Sequence, residues 1–473
     1  MRRQRFTRIF VLGAIGATLI ASLPAAPATG GEVRRYGRIA PGIVHKVIRQ
    51  RKVPRVIHVV IADVAGPGAL RVALSNGALS GLERTSSMAR RNGAIAAING
   101  DFFRPSGRPV AAFARAGDLV QTPITWGANL AFGRGGRSAF MGHPSVHVRL
   151  ISARSGEKLR IVRVNTGRPR RRTLRLYTKD AGKIVRPPRN ACSARLKRSG
   201  TKRFSADGAE VITPVEVGAV RCRRARMKFG GGMVVAGRRF GPARAAIRDL
   251  RSDRRQRLVW SLGWPNVGET IGGNPVMVKE GQLASNNLRG SHSIFRRHPR
   301  TGVALRKDGK IMFVTVDGRR PRYSKGITLL GFARLMKSLG ASWALNLDGG
   351  GSTTMVVKGR VMNRPSDGRE RPVGSALMLV GSAGRATSSF PTMPAPEPEP
   401  TDGTVDPQVA YGDGAAANLA MTDPASIGGL ASWLQAEGES LPSGLAGVAR
   451  RFDRIEARAD YFGSPTSYTE TSP

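Results

Sequence analysis

Acidic residues are scarce in this chain of 473 residues: 31 Asp and Glu stand against 77 Lys and Arg, a formal net charge of +46. Such a field disfavours random contact with cationic surfaces and attracts polyanions, among them nucleic acid, anionic lipid and anionic wall polymers. Aromatics are few, 6% of residues. That argues against a stacking platform for single-stranded nucleic acid. There are six histidines and two cysteines, too few for a Cys-rich zinc site, and no histidine sits at ligand spacing beside Cys192 or Cys222. Only one long hydrophobic run exists, from Ile9 to about Leu23.

That run follows Arg2, Arg3, Arg5 and Arg8 and precedes Ala26 and Ala28 in A-x-A spacing, the pattern of a signal peptide cleaved near Ala28. The alternative is a retained membrane anchor. Export predicts a secreted or cell-wall-associated protein. An oxidising compartment then allows a Cys192–Cys222 disulfide, each cysteine lying among short apolar runs that suit neighbouring strands.

Residues 29–54 read as a basic, irregular lead-in. From Val53 onward, short alternating runs separated by glycine turns predict strands: "VPRVIHVVIADV", "ALRVALSN", "AIAAING", "VHVRLI" and "TLRLYT". Thr85 is a candidate N-cap, with Gly93 as the stop, for a short helix over "TSSMARRNG". Residues 166–260 are Arg-rich with strand alternation preserved, and "TIGGNPVMVKEGQL" reads as a glycine turn and then a strand. "TGVALRKDGKIMFVTVDGR" predicts a hairpin turning at Asp308-Gly309. Leu329, Phe332, Leu335, Met336 and Leu339 repeat at helical spacing before Gly340. The fold class is α+β: β-rich, mixed twisted sheets with a few flanking helices. One domain is expected over 55–382, then a Pro-rich linker over 383–410 and a low-order tail over 411–473 with one amphipathic helix near "LAGVARRFDRIEARADYF".

The chemistry concentrates at strand ends. "ALNLDGGGSTTMVV" leaves a strand through Asp348 and three glycines, Gly349, Gly350 and Gly351, before Ser352, Thr353 and Thr354. Glycines let backbone N–H groups approach an anion, and the hydroxyls add donors; a tight structural turn is the alternative. "FVTVDGR" ends in Asp317 with Arg319 beyond it, "AAINGDFF" in Asn99 and Asp101, and "HPRTGVAL" begins at Arg300 and Thr301. Arginines suit a bidentate grip on phosphate oxygens. His292 and His298 flank Arg300 as chance neighbours, and Asp367 and Glu370 read as loop charges.

These segments together, with "VMNRPSDGRERPVGSALML", resemble the phosphodiester glycosidases, the family of the lysosomal uncovering enzyme. The resemblance runs over roughly 55–382 and is strongest from 268. It implies a secreted hydrolase that cleaves a sugar-1-phosphodiester at the anomeric carbon, releasing free sugar and a phosphomonoester. It implies Asp348 and Asp317 as catalytic carboxylates. Asn99, Arg300, Thr301, Arg319, Asn346, Gly349 to Gly351, Ser352 and Thr353 would bind substrate. Asp101 stands where the family often has a small residue, and the resemblance gives it no catalytic role. No cofactor is implied, and no EF-hand spacing supports Ca²⁺. The competing expectation is a non-enzymatic module that binds anionic wall polymers. A general polyanion binder ranks last.

Overall fold

The computed structural model describes residues 32–381, apart from short stretches at 65–67, 126, 137, 167–172, 182–183, 186–190, 223–226, 229–232, 239–241 and 285–287. The expected signal peptide, Pro-rich linker and tail helix lie outside the described residues.

The first strands overturn one expectation. The basic stretch read as irregular is a hairpin, β1 (Glu32–Ala40) and β2 (Ile43–Gln50), which pairs onward with β3 (Arg55–Ala62). Ile43, His45 and Val47 of β2 are buried and the residues between them less so, a period-2 burial beneath the charge. Next come β4 (Ala69–Leu74), α1 (Thr85–Arg91) and β5 (Ala94–Asn99). Thr85 is not the N-cap of α1. Arg84 holds that position, and Glu370 accepts hydrogen bonds from the Ser86 backbone N–H and hydroxyl. The loop charge thus closes the first turn of the helix.

The Arg-rich middle forms a separate β layer. Seven strands pair edge to edge through Ala191–Arg198, Met233–Arg238, Leu174–Tyr177, Lys158–Val164, His147–Ser152, Arg255–Ser261 and Val211–Arg221. The last pairs back onto the first, so the sheet closes on itself. Its apolar face packs Leu150, Leu176, Leu196, Val217 and Trp260 together, with α2 (Pro242–Asp249) against it through Ala243 and Ile247. Cys192, on one closing strand, and Cys222, just past the other, form a disulfide.

The remaining chain builds the frame of the site. β6 (Val276–Lys279), β7 (Gln282–Leu283), β8 (Arg300–Arg306), β9 (Ile311–Val316), α3 (Leu329–Ser338) and β10 (Ala341–Asn346) follow in turn. One eight-stranded sheet has the order β1-β2-β3-β9-β8-β10-β6-β7. A five-stranded sheet joins β12 (Arg360–Val361), β11 (Met355–Val357), β5, β13 (Ser375–Val380) and β4 in that order. The predicted hairpin is β8–β9. The predicted helix is α3, N-capped by the Thr328 hydroxyl, which accepts from the Gly331 N–H at 3.1 Å. "TIGG" is not a turn but the end of a fully buried strand, Glu269–Gly273. A Cβ at Gly272 would lie 2.1 Å from the Ala111 Cβ and 2.6 Å from Asp101 Oδ2, so close packing rather than turning requires this glycine. Leu345, Leu347, Ile98, Phe313 and Leu377 share one core between the two sheets, and this brings the ends of β5, β8, β9 and β10 together.

Candidate active site

The strand ends do not line the rim of a single sheet. β9 and β10, which lead to Asp317 and Asp348, belong to the eight-stranded sheet, while β5, which leads to Asn99 and Asp101, belongs to the five-stranded one. Asn99 ties the two. Its Nδ2 donates to the Asp348 carbonyl at 2.7 Å, and its Oδ1 accepts from the Thr301 hydroxyl at 2.8 Å and the Thr354 N–H at 3.1 Å. Asn99 and Thr301 are fully buried, so these side chains fix the turn instead of presenting donors outward. The Asp348 N–H donates to Gly100 at 3.1 Å, which sets the Asp348 turn against the Asp101 loop.

Asp348 itself is half-buried. Burial lifts its pKa to about 6, against the pull of the Ser352 hydroxyl, the Gly349 N–H and the Arg371 charge. Asp101 is buried, and its pKa reaches about 7: desolvation raises it, two backbone N–H groups on Oδ2 oppose that, and the Asp348 charge adds to it. Asp101 Oδ1 has no hydrogen-bond partner. Two carboxyl groups that repel one another and titrate near neutrality are a signature of acid–base chemistry. The sequence placed Asp101 at this strand end but gave it no catalytic role, because the family it resembles often has a small residue there.

Asp317 is differently placed. It is 1% exposed. It accepts from the Tyr323 hydroxyl at 2.9 Å and the Arg364 N–H at 3.2 Å, and its own carbonyl accepts from the Ser324 hydroxyl at 2.6 Å. Burial raises its pKa, and these donors oppose the rise. His58 Nε2 stands 4.0 Å away, but burial lowers the His58 pKa to about 3, so the imidazole is neutral and no ion pair forms. Asp317 thereby anchors the 318–324 loop and the 363–364 segment.

The glycine turn is a short 3₁₀ element, Gly350–Ser352. Only Gly350 has a left-handed backbone, φ +59°. Its N–H donates to Pro299 at 2.9 Å, and the Ser352 and Thr353 N–H groups donate back into the turn, so these amides are spent inside the protein. Gly349 packs against the Pro299 carbonyl, and what comes close to Gly350 and Gly351 is side chain. A Cβ on Gly350 would meet Arg319 Nη2 at 3.0 Å; one on Gly351 would meet Arg371 Nη2 and Asp367 Oδ2, each at 2.2 Å. Bare backbone here lets two guanidinium groups lie against the turn that carries Asp348. Arg319 and Arg371 are largely exposed, and both face Asp367: Arg371 donates to Oδ2 at 2.9 and 2.5 Å, and Arg319 lies 3.8 Å from Oδ1. Asp367, read from sequence as a loop charge, positions this pair.

Arg300 is 3% exposed. Its guanidinium donates to the carbonyls of Ile327, Ile294 and Arg296, with no carboxylate at ion-pair distance among the described residues. Burial lowers its pKa to about 10, so it stays charged and adds a fixed positive potential behind the site. Half-buried His298 has its pKa lowered by desolvation, then by the charges of Arg300 and Arg319. Asn346 Nδ2 holds the Asn274 carbonyl at 2.7 Å, while its Oδ1 and the Thr353 hydroxyl are buried without partners. Among the described residues no group of three or more His, Cys, Asp or Glu could hold a metal ion. No helix among them is long and apolar enough to cross a membrane.

Residues 160–380 match the family model described as phosphodiester glycosidase, somewhat under half of the chain. The match takes in Arg300, Asp317, Arg319, Asp348 and Arg371 and leaves out Asn99 and Asp101. A prophage-derived uncharacterized protein of Bacillus subtilis strain 168, YomE, is 43% identical over 83 residues, 18% of this chain and 13% of that one. Two solved structures share the fold. A protein from Synechocystis has TM-score 0.55 and 20% identity, covering 74% of this chain and 63% of its own. A protein from Burkholderia pseudomallei K96243 has TM-score 0.50 and 23% identity, covering 69% and 74%. The chain spans only part of the first of each of these relatives. Asp348 on its glycine turn and the arginines beside it lie inside the segment, residues 160–380, that is similar to the phosphodiester glycosidase family.

Proposed function

We propose that this protein hydrolyses a sugar-1-phosphodiester at the anomeric carbon, releasing free sugar and a phosphomonoester, with Asp348 as the reacting carboxylate. One observation carries the reading: a half-buried carboxyl whose pKa is near 6 shares its glycine turn with two exposed guanidinium groups. The pair supplies the two things the reaction needs. The arginines neutralise the phosphate, which is already a good leaving group and needs little acid help. The carboxylate meets C1, where positive charge develops, either accepting the proton of the attacking water or bonding C1 first. In both routes the C1–O bond to phosphate breaks and water's oxygen ends on C1. The configuration of the released sugar separates the routes.

Asp101 is the second carboxyl of the site in this reading, holding its proton near neutral pH beside ionised Asp348. Asp317 acts at a distance by holding the loop that carries Arg319. The expected compartment is outside the cytoplasm, resting on the "MRRQRFTR" leader and the Cys192–Cys222 disulfide. The test is release of reducing sugar and phosphomonoester from a sugar-1-phosphodiester by the wild type and by Asp348→Asn. Substrate bound but never cleaved by a folded wild type would favour the binding-module reading instead.

A further inference from the structure

A second cluster of positive charge lies at the other end of the loop that carries Arg319. β2 ends at Gln50, and the turn after it runs into Pro54 and Arg55; here Arg49, Arg51 and Arg55 meet Arg322 and Tyr323 around an open hollow of about 310 Å³. Among the described residues no acidic one lines it. Among the described residues, Arg49, Arg55 and Arg322 have no carboxylate at ion-pair distance. Arg55 is held in place by Gln50 Oε1 at 2.9 Å and the Gly326 carbonyl at 3.4 Å. Its pKa is lowered by burial and then by the charge of Arg297. Three guanidiniums, those of Arg49, Arg55 and Arg322, gathered with no carboxylate at ion-pair distance among the described residues, carry an electrostatic cost that a bound anion would relieve.

Tyr323 sits between this hollow and the candidate active site. The Arg49 guanidinium lies 5.8 Å from its ring centroid and the Arg364 guanidinium 4.5 Å. Its hydroxyl donates to Asp317 at 2.9 Å and stays protonated, its pKa raised to about 12 by burial and then by Asp317. Tyr323 is therefore a strut. With two guanidiniums already on the ring, it offers poor stacking for a nucleobase. Only three residues lie between Arg319, at the Asp348 turn, and Tyr323, so one chain segment links the two cationic sites.

We propose that the hollow formed by Arg49, Arg55 and Arg322 is a phosphate subsite for a polymeric sugar phosphodiester, holding a phosphate remote from the bond cleaved at Asp348. This rests on the reading of the Asp348 site as a sugar-phosphodiester hydrolase and extends it from a small substrate to a chain with repeated phosphates. Recognition is electrostatic and read from the phosphates, not from bases.

The test uses the full chain and inorganic polyphosphate as probe, because the overall charge of +46 would attract any polyanion weakly. Arg49→Gln/Arg55→Gln/Arg322→Gln is compared with Arg154→Gln/Lys158→Gln/Arg160→Gln, which removes the same charge from exposed positions on another β layer. The expected result is a loss of polyphosphate affinity of about tenfold or more for the first variant, with a shallower salt slope, and little change for the second. Equal losses in both variants, or none in either, overturn the proposal. So does a single-stranded oligonucleotide of matched charge that binds more tightly than polyphosphate. Melting curves identify a misfolded variant, in which case Arg322→Gln alone replaces the triple. Turnover of a sugar-1-phosphodiester by the wild type is measured beside these binding curves. Failure of the hydrolase reading therefore appears in turnover, and failure of the subsite in the charge-matched comparison.

Discussion

Asp317 and Asp348 leave neighbouring parts of one sheet by nearly the same words, "VTVDGR" and "LNLDGG", and end in opposite situations. The Asp317 carboxylate is sealed in and met by a hydroxyl, a backbone N–H and the Asn363 side chain. The Asp348 carboxyl keeps an open side, carries the Ser352 hydroxyl and the Gly349 N–H, and sits beside two guanidiniums and a second carboxyl. The difference is in what covers the strand end, a folded-back loop in one case and exposed arginines held by Asp367 in the other. A strand ending in Asp-Gly tells the reader that a carboxylate is presented; whether it faces substrate depends on the roof.

The largest expected effect breaks this comparison outright. Asp348→Asn should lower turnover of a sugar phosphodiester about 10²–10⁴-fold while melting within a few degrees of the wild type. Wild-type turnover would remove Asp348 from the chemistry. Asp317→Asn should do the reverse: an amide offers its own N–H groups to the Arg364 N–H and the Tyr323 hydroxyl, so stability should fall by about 1–3 kcal/mol in denaturant titration. Residual activity in the folded fraction should exceed that of Asp348→Asn. The opposite ranking, with Asp317→Asn the more inactive and no less stable, would reverse the two assignments.

Gly350→Ala tests the roof. With φ at +59°, the new Cβ is strained whatever room it has, and it meets Arg319 as well. A loss of about 1–2 kcal/mol is expected. Turnover should drop beyond what unfolding explains, because Arg319 is displaced. Unchanged turnover in the folded enzyme would mean that the position of Arg319 is immaterial.

The smallest effect is in pH. The Asp348 pKa is raised to about 6, and ionised Asp348 is the reactive form, so activity should rise with pH and reach half its plateau near pH 6 rather than near pH 4. For stability the sign is the opposite. The folded state holds the Asp101 proton up to about pH 7, whereas the unfolded chain releases it near 3.8. The resulting stabilisation is full below 3.8 and is lost as pH climbs towards 7. Asp101→Asn should flatten that decline in a series of melting curves; an unchanged slope would show that Asp101 titrates normally.

Much of the site frame was legible beforehand. The β8–β9 hairpin announced itself through Asp308-Gly309, and α3 through its apolar spacing and Gly340, because both signals are local. The basic β1–β2 hairpin was missed because its charges masked the alternation, and "TIGG" was misread because glycine serves close packing as readily as turning. Thr85 was read as a cap when Glu370, 284 residues from Ser86, supplies the group that meets the first turn of α1.

By itself, the sequence determined which residue types stand at the strand ends, the charge imbalance and the β-rich class, since these follow from composition and from periods of 2 and 3.6 along the chain. Tertiary structure alone decided that Asn99 and Thr301 are ties, that Arg300 is bound up by carbonyls, that Asp101 feels the charge of Asp348, and that Gly350 and Gly351 make room for Arg319 and Arg371. Each of these depends on contacts between segments tens to hundreds of residues apart. Their pairing is set by which apolar faces bury against each other, and no local pattern encodes it.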